Sequence, residues 1–229
     1  MMKMRTKTDV QARNPSDTVH DAQCVRCARL AAHLTQVSRA HPGYFCAPVP
    51  PFGVEQPELL VVGLAPGLHG ANASGRPFTG DHAGILLYQT LFDFGFASRP
   101  VSASANDGLK LVRCRITNAV KCLPPANKPL PAEVRTCNGY LRNELRRLPP
   151  TSVVLSLGRI AHGAVLLASG VGIQRYPFAH GAVHALPNGP RLVASYHCSR
   201  YNTQTRRLTP EMFRAVFRSI NALLTGDAA

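Results

Sequence analysis

Four short apolar runs constrain this chain more than any other feature. They are "ELLVVGLAPG" (58–67), "CRITNAVKC" (114–122), "SVVLSLG" (152–158) and "RLVASYH" (191–197). They are rich in Val and Leu, or in the second run in β-branched residues, and are bounded by Gly, Pro or polar turn residues, the signature of buried strands. Helix patterns stand between and after them: "ILLYQTLFDFGF" (85–96), "AEVRTCNGYLRNELRRL" (132–148), "RIAHGAVLLAS" (159–169) and "PEMFRAVFRSINALL" (210–224), the last opened by Pro210. Strand–helix alternation predicts an α/β fold with a mainly parallel sheet of four strands and helices on both faces. A further segment, "AVHAL" (182–186), is a candidate hairpin partner of the fourth run across a "PNG" turn. Ahead of the first run, "CVRCARLAAHLTQVSRA" (24–40) reads as an amphipathic helix, with Leu30, Leu34 and Val37 at helical spacing. A chain of 229 residues supports one core of this kind. The polar start reads as a flexible tail over residues 1–20, and 21–229 as a single domain.

Charge narrows the partners. There are 12 acidic residues against 26 Lys+Arg, a formal net charge of +14. Such a field favours polyanions, nucleic acid above all. No apolar run approaches the ~18 residues that cross a bilayer, so no membrane partner is expected. The first residues lack the apolar stretch of a secretory signal, and a cytoplasmic, nucleoid-associated protein of bacterial type is expected. In that compartment the seven cysteines are not a disulfide framework. Cys24 and Cys27 form a C-x-x-C at the start of the first helix. Cys122 follows the second strand, and Cys137 lies beyond a proline-rich loop. Together the four suit Zn²⁺ or a [4Fe–4S] cluster, and spacing does not choose between them. Cys46 and Cys114 read as core positions.

In a parallel sheet, ligands bind outside the carboxyl ends of the strands. Those ends read "GLAPG", "TNAVKC", "LGRIAHG" and "SYHCSR". The first leads into "GRPFTGDHAG" (75–84), where glycines let a flat ligand approach the backbone and Phe78 can stack on a base. Asp81 is a preferred N-cap for the helix that follows, and the cap alone accounts for an Asp there. Asn118 carries a donor and an acceptor, enough to read a nucleobase edge or to close a turn. His197 ends the last strand, ahead of a polar, basic and irregular segment that suits a phosphate backbone. One reaction uses all of these groups: removal of a flipped base from DNA. A ring stacks on the base, an amide reads it, a carboxylate steadies the sugar cation and orients water, and a histidine stabilises the departing anion.

At these residues the chain resembles the family five, or type B, uracil-DNA glycosylases. The stretches that carry the likeness are "LLVVGLAPGLHGANASGRPFTGDHAG", "ITNAVKCLPPANKPLPAEVRTC" and "SYHCSRYNTQTRRLTPEM", supported by "CVRCARL" and "YFCAPVPPFG". The resemblance runs from about Cys24 to the last helix. It implies a three-layer α/β/α sandwich around a four-stranded, mainly parallel sheet. It implies a structural [4Fe–4S] cluster on Cys24, Cys27, Cys122 and Cys137. It implies Asp81 and His197 as catalytic residues, with the base held by Gly63, Ala65, Phe78 and Asn118. The basic segment supplies the expected DNA contacts: Ser199, Arg200, Tyr201, Asn202 and Arg206. Expected substrates are duplex DNA, and single-stranded DNA as well, bearing uracil or other deaminated bases such as hypoxanthine and xanthine. The expected enzyme is a monomeric, monofunctional N-glycosyl hydrolase. The family's last motif reads His-Pro-Ser, whereas this chain has His197-Cys198-Ser199. Cys198 puts the pose of His197 in question and places a thiol beside the active rim. The alternatives are a damaged-DNA-binding iron–sulfur protein of the same fold without catalysis, and a zinc protein that shares only the layout.

Overall fold

Each apolar run contains a strand, and in the first, third and fourth runs alternate side chains enter two different cores. The computed structural model describes residues 17–187 and 189–226. In chain order its regular elements are α1 (Ala28–Ala40), β1 (Phe52–Gly53), β2 (Leu59–Gly63), α2 (Ala71–Ser74), α3 (His82–Asp93), β3 (Cys114–Asn118), α4 (Pro131–Arg146), β4 (Val153–Leu157), α5 (Arg159–Ala168), β5 (Val183–Ala185), β6 (Arg191–Ser195), α6 (Arg200–Gln204) and α7 (Pro210–Thr225). On β2, Leu59 and Val61 pack with Leu87, Leu91, Phe213 and Phe217 of α3 and α7. Leu60 and Val62 pack on the other face with Leu141, Ala161 and Val165 of α4 and α5. All four are fully buried, at about 1.5–3 kcal/mol each relative to exposure. That is why the run is apolar throughout rather than alternating. A third cluster sets Leu30, Leu34 and Val37 of α1 against Val120, Leu123 and Tyr140.

The sheet order is β1-β3-β2-β4-β6-β5. The four central strands, β3, β2, β4 and β6, are parallel, as the alternation predicts. The count differs from expectation: the sheet has six strands, because β1 and β5 add antiparallel pairs at its two edges. β5 is the anticipated hairpin segment, although Asn188 of its turn lies outside the described residues. β1 is two residues long, too short for any periodicity to mark. Short edge strands of this kind cover an otherwise open sheet border.

Two other boundaries shift. Cys24 and Cys27 precede α1 instead of lying within it, Cys27 being its N-cap. The segment after His197, expected to be irregular, contains the short helix α6, capped by Ser199, whose hydroxyl accepts from the Asn202 N–H. Of the expected tail, residues 1–16 lie outside the described residues. Thr18 O accepts from Asn143 Nδ2 at 2.9 Å, and the His20 ring meets Pro48 O at 2.7 Å. Among the described residues no helix is long and apolar enough to cross a membrane.

One buried ion pair ties the loops on the α3 side together. Arg76, 6% exposed, donates to Asp107 Oδ1 at 2.8 Å and Ser102 Oγ at 3.0 Å, and its guanidinium lies 4.4 Å over the Phe52 ring. Asp107 in turn accepts from the N–H groups of Ala103 and Leu109. Burial pushes the Asp107 carboxyl up, but Arg76 and these N–H groups outweigh it and hold the group well below the usual carboxylate range. A depressed carboxyl contributes stability above its unfolded value of about 3.9 and loses it as pH falls through the folded value. Removing one partner leaves the other charge buried, so Asp107→Asn is expected to lower the unfolding free energy by roughly 3–5 kcal/mol at neutral pH. Denaturant titrations should show that deficit in full above about pH 4 and shrinking in stronger acid. A deficit that is constant with pH would assign the loss to something other than the carboxylate.

Candidate active site

The carboxyl ends of β2, β3 and β6 open onto one pocket of about 430 Å³, whose walls include Ala65, Phe78, Asp81, Asn118 and His197. These groups stand far apart in sequence, and the parallel sheet delivers all of them to one rim. Gly63 is not a wall of the pocket but the residue that lets its walls meet. A Cβ there would stand 2.6 Å from Cζ of Phe78 and would collide with Oδ1 of Asn118.

Phe78 is held in an unusual pose. Its φ is +56°, a left-handed conformation that costs an aromatic residue of order 1 kcal/mol or more. The surroundings enforce it. Tyr88 donates its hydroxyl to Pro77 O at 2.7 Å, Thr79 Oγ1 meets Ser102 Oγ at 2.7 Å, and Arg76 anchors the preceding turn. Gly84 has no Cβ to strike Phe78 O. The ring is 6% exposed and stacks toward His197, centroids 6.0 Å apart.

Asp81 is both cap and wall. Its Oδ1 accepts the Gly84 N–H at 2.9 Å, which caps α3. Its Oδ2 points toward the turn after β2, where a Cβ on Gly70 would come within 2.7 Å. Burial raises its pKa, while the N–H groups of Gly84 and Ala83 and the nearby His82 pull it down. One oxygen is spent on the helix, and the other is left for the pocket.

His197 stands at the end of β6, where packing against the rim strips water from the ring. That desolvation lowers its pKa to about 4, so the imidazole is neutral at physiological pH. Asn202 donates its amide to His197 O at 2.8 Å, and the adjoining Gly158 takes φ +94°, a conformation that favours glycine. Cys198 corrects an expectation. It is fully buried among core residues that include Leu208 and Phe213, and burial pushes its thiol pKa up, so it presents no reactive group at the rim.

Asn118 is 4% exposed and its side-chain amide has no hydrogen-bond partner among the described residues. A buried amide without a protein partner at a pocket wall is an amide available to a ligand. Arg200 lies at the pocket mouth, and Tyr201 is 69% exposed beside it. Arg206 is exposed at φ +56°. Ser199 and Asn202 are engaged within the protein, as the α6 cap and the His197 clamp. Sequence reasoning passed over His82 and Asn127, which also line the pocket. His82 bonds Thr203 Oγ1 at 3.0 Å and so joins α3 to α6. Its neighbour Asp81 was the only local signal for it.

The four cysteines converge as well. Cys24, Cys27, Cys122 and Cys137 line one pocket with Leu30, Pro48 and Tyr140, and Cys137 Sγ accepts the Lys121 N–H at 3.4 Å. Burial first, and then the neighbouring Cys137, Cys24 and Cys27, push the pKa of Cys122 up to about 12. Among the described residues no group of three or more His, Cys, Asp or Glu side chains is arranged to hold a metal ion. Cys46 stands apart from the four and receives a bond from Asn72 Nδ2. Cys114 is buried in β3.

Comparison with known proteins agrees with this geometry. Residues 50–221 match the family model of the uracil DNA glycosylase superfamily. The chain is 46% identical to a type-5 uracil-DNA glycosylase of Thermus thermophilus over 205 residues, which is 87% of this chain and 93% of that one. It is 42% identical to a type-5 uracil-DNA glycosylase of Mycobacterium leprae over 208 residues, 87% of this chain and 91% of the relative. A type-4 uracil-DNA glycosylase of Archaeoglobus fulgidus is 39% identical over 114 residues, about half of each chain.

The environment of His197 has a direct readout. Its folded pKa lies below the ordinary 6.5, so the site favours folding above that pH and loses the contribution as pH falls toward 4. A pH titration of the ring by NMR is expected to show a neutral imidazole at pH 5.5 and a midpoint of about 4. A midpoint at the ordinary value would mean that the ring is solvated.

Proposed function

The chain belongs to the uracil DNA glycosylase superfamily, and from that premise we propose that it removes uracil from DNA by hydrolysing the bond between base and deoxyribose. The observation that carries the reading is the convergence of a stacking ring, an unpaired amide, a carboxylate and a neutral imidazole around one pocket. A target base is flipped from the stack into that pocket. Phe78 stacks on its face and the Asn118 amide pairs with its edge. As the C1′–N1 bond breaks, the electron pair leaves with the base and positive charge grows on the sugar. Asp81 Oδ2 stabilises that cation and orients a water whose oxygen bonds C1′. Its raised pKa suits it to receive the water's proton. His197, neutral, donates a hydrogen bond to the anionic base without surrendering its proton. The net charge of +14 and the cations Arg200 and Arg206 draw the phosphate backbone to the rim. Hypoxanthine and xanthine are further proposed substrates, and the protein is proposed to act as a monomer on nucleoid DNA in the cytoplasm. The binding-only alternative gains no support from Cys198, which is buried away from the pocket.

The donor set of the cysteine pocket suits a [4Fe–4S] cluster, and Cys24, Cys27, Cys122 and Cys137 are the proposed ligands. A cluster takes one thiolate per iron around a core wider than an ion, so its ligands stand farther apart than those of Zn²⁺. The mutual repulsion of four neighbouring thiolates, two of them buried, would be relieved by a cationic core. Its contribution would be a clasp holding α1, the loop after β3 and α4 together, with no part in the reaction.

Asparagine caps a helix as well as aspartate, so Asp81→Asn tests chemistry apart from folding. It is expected to keep its melting temperature and to lose at least ~10²-fold in the rate of uracil release from a duplex with uracil opposite guanine. His197→Ala is expected to lose ~10²–10³-fold. Release at wild-type speed by Asp81→Asn would remove the carboxylate from the mechanism. Protein purified without oxygen is expected to be brown and to carry about four irons per chain, and Cys137→Ser to lose both the iron and thermal stability. Colourless protein containing zinc would overturn the cluster.

A further inference from the structure

A second pocket of about 370 Å³ lies beside the first. The two share a ridge formed by Phe78, Asp81 and His82, and Arg200 lines both. The far wall comes from the connection 94–113 between α3 and β3. The connection is closed at its base by the antiparallel bridge Ala97–Leu111, and a long ordered loop of this kind is usually functional. Its wall is fixed in place. Ser102 bonds Arg76 at 3.0 Å and Thr79 at 2.7 Å, and Asp107 receives the N–H groups of Ala103 and Ser104. On this fixed wall Val101 is 63% exposed, and Ile85, in the first turn of α3, is 69% exposed. Scattered exposed aliphatics are ordinary. Here two from separate segments line one pocket that is continuous with the reaction centre. The guanidinium common to both pockets has no hydrogen-bond or ion-pair partner among the described residues.

We propose that this second pocket is a subsite for the nucleotide adjoining the flipped one, with the linking phosphate on Arg200 and the neighbour's sugar and base face against Ile85 and Val101. The inference rests on the glycosylase reading above. The chemistry fits one occupant: a group with an apolar face, tied by an anion to whatever fills the first pocket. A strand with one nucleotide in each pocket places its phosphodiester at the ridge, where the unpaired cation stands. Binding energy gained there, away from the bond that breaks, would position the sugar against Asp81.

The test removes either side of the contact. Uracil release is measured on three duplexes: one intact, one with an abasic tetrahydrofuran residue 5′ of the uracil, and one with it 3′. Wild-type protein is compared with an Ile85→Gln, Val101→Ser double variant, whose folding is checked by its melting temperature. The wild type is expected to lose about tenfold in kcat/KM when the neighbour on one side is abasic, and to be indifferent on the other. The double variant is expected to lose about tenfold on the intact duplex and nothing more when that neighbour is removed. Wild-type rates that ignore both abasic neighbours overturn the subsite while leaving the glycosylase reading intact. So does a variant whose losses multiply with those of the abasic substrate, since the two would then act independently. No release from any duplex by the wild type overturns both readings together.

Discussion

The active rim depends on a charge pair that water does not reach freely. Arg76 and Asp107 meet at 2.8 Å, with side chains 6% and 14% exposed. Taking two such charges out of water costs several kcal/mol each, and their attraction returns the cost only when every remaining donor and acceptor is satisfied. Here Ser102 and the Ala105 carbonyl take two further guanidinium protons, and three backbone N–H groups donate to the carboxylate oxygens. The pair locks the turn before Phe78 to the connection 94–113, so the ring pose at φ +56° and the wall at Val101 have a common origin.

The site itself works by contrast with the surface. The exterior carries the surplus cations that a DNA-binding chain needs, yet the pocket holds a carboxylate of raised pKa and an imidazole too poorly solvated to be charged. Both shifts have burial as their largest cause, and they push in opposite chemical directions. Burial makes the carboxylate a better proton acceptor and keeps the histidine a neutral donor. The opposition suits a bond cleavage in which cation forms on one side and anion on the other. It follows from placing both groups where the loops after β2 and β6 close over the strand ends.

Much of this was legible in the chain. The runs "LLVVG" and "SVVLSLG" became central strands because an apolar segment of that length, broken by glycine, has few other places to go. Asp81, Phe78, Asn118 and His197 could be named because each follows a strand, and parallel strands put their carboxyl ends on one rim. What was not legible depends on contacts between distant segments. Two-residue β1 exists only because β3 offers an edge. Arg76 looked like one more cation of a basic chain until Asp107 came to meet it. Asn202 resembled a DNA contact, and its amide is instead spent on the His197 carbonyl. Cys198 appeared to sit at a reactive rim because His197 does, but its thiol is buried in the core with Leu208 and Phe213.

Why a basic chain sets a carboxylate in a glycine-rich loop now has a physical answer. An acid at a helix N-terminus is stabilised by the unpaired N–H groups and the dipole there, so Asp81 can be buried ionised at a tolerable cost. Glycine at 70 keeps the facing turn clear of it, and glycine at 84 clears the space for the Phe78 carbonyl beside it. Capping consumes one carboxylate oxygen and fixes the direction of the other. The structural role and the proposed catalytic one are therefore not rivals. The cap holds the acid still, and an acid held still needs no reorganisation when charge develops next to it.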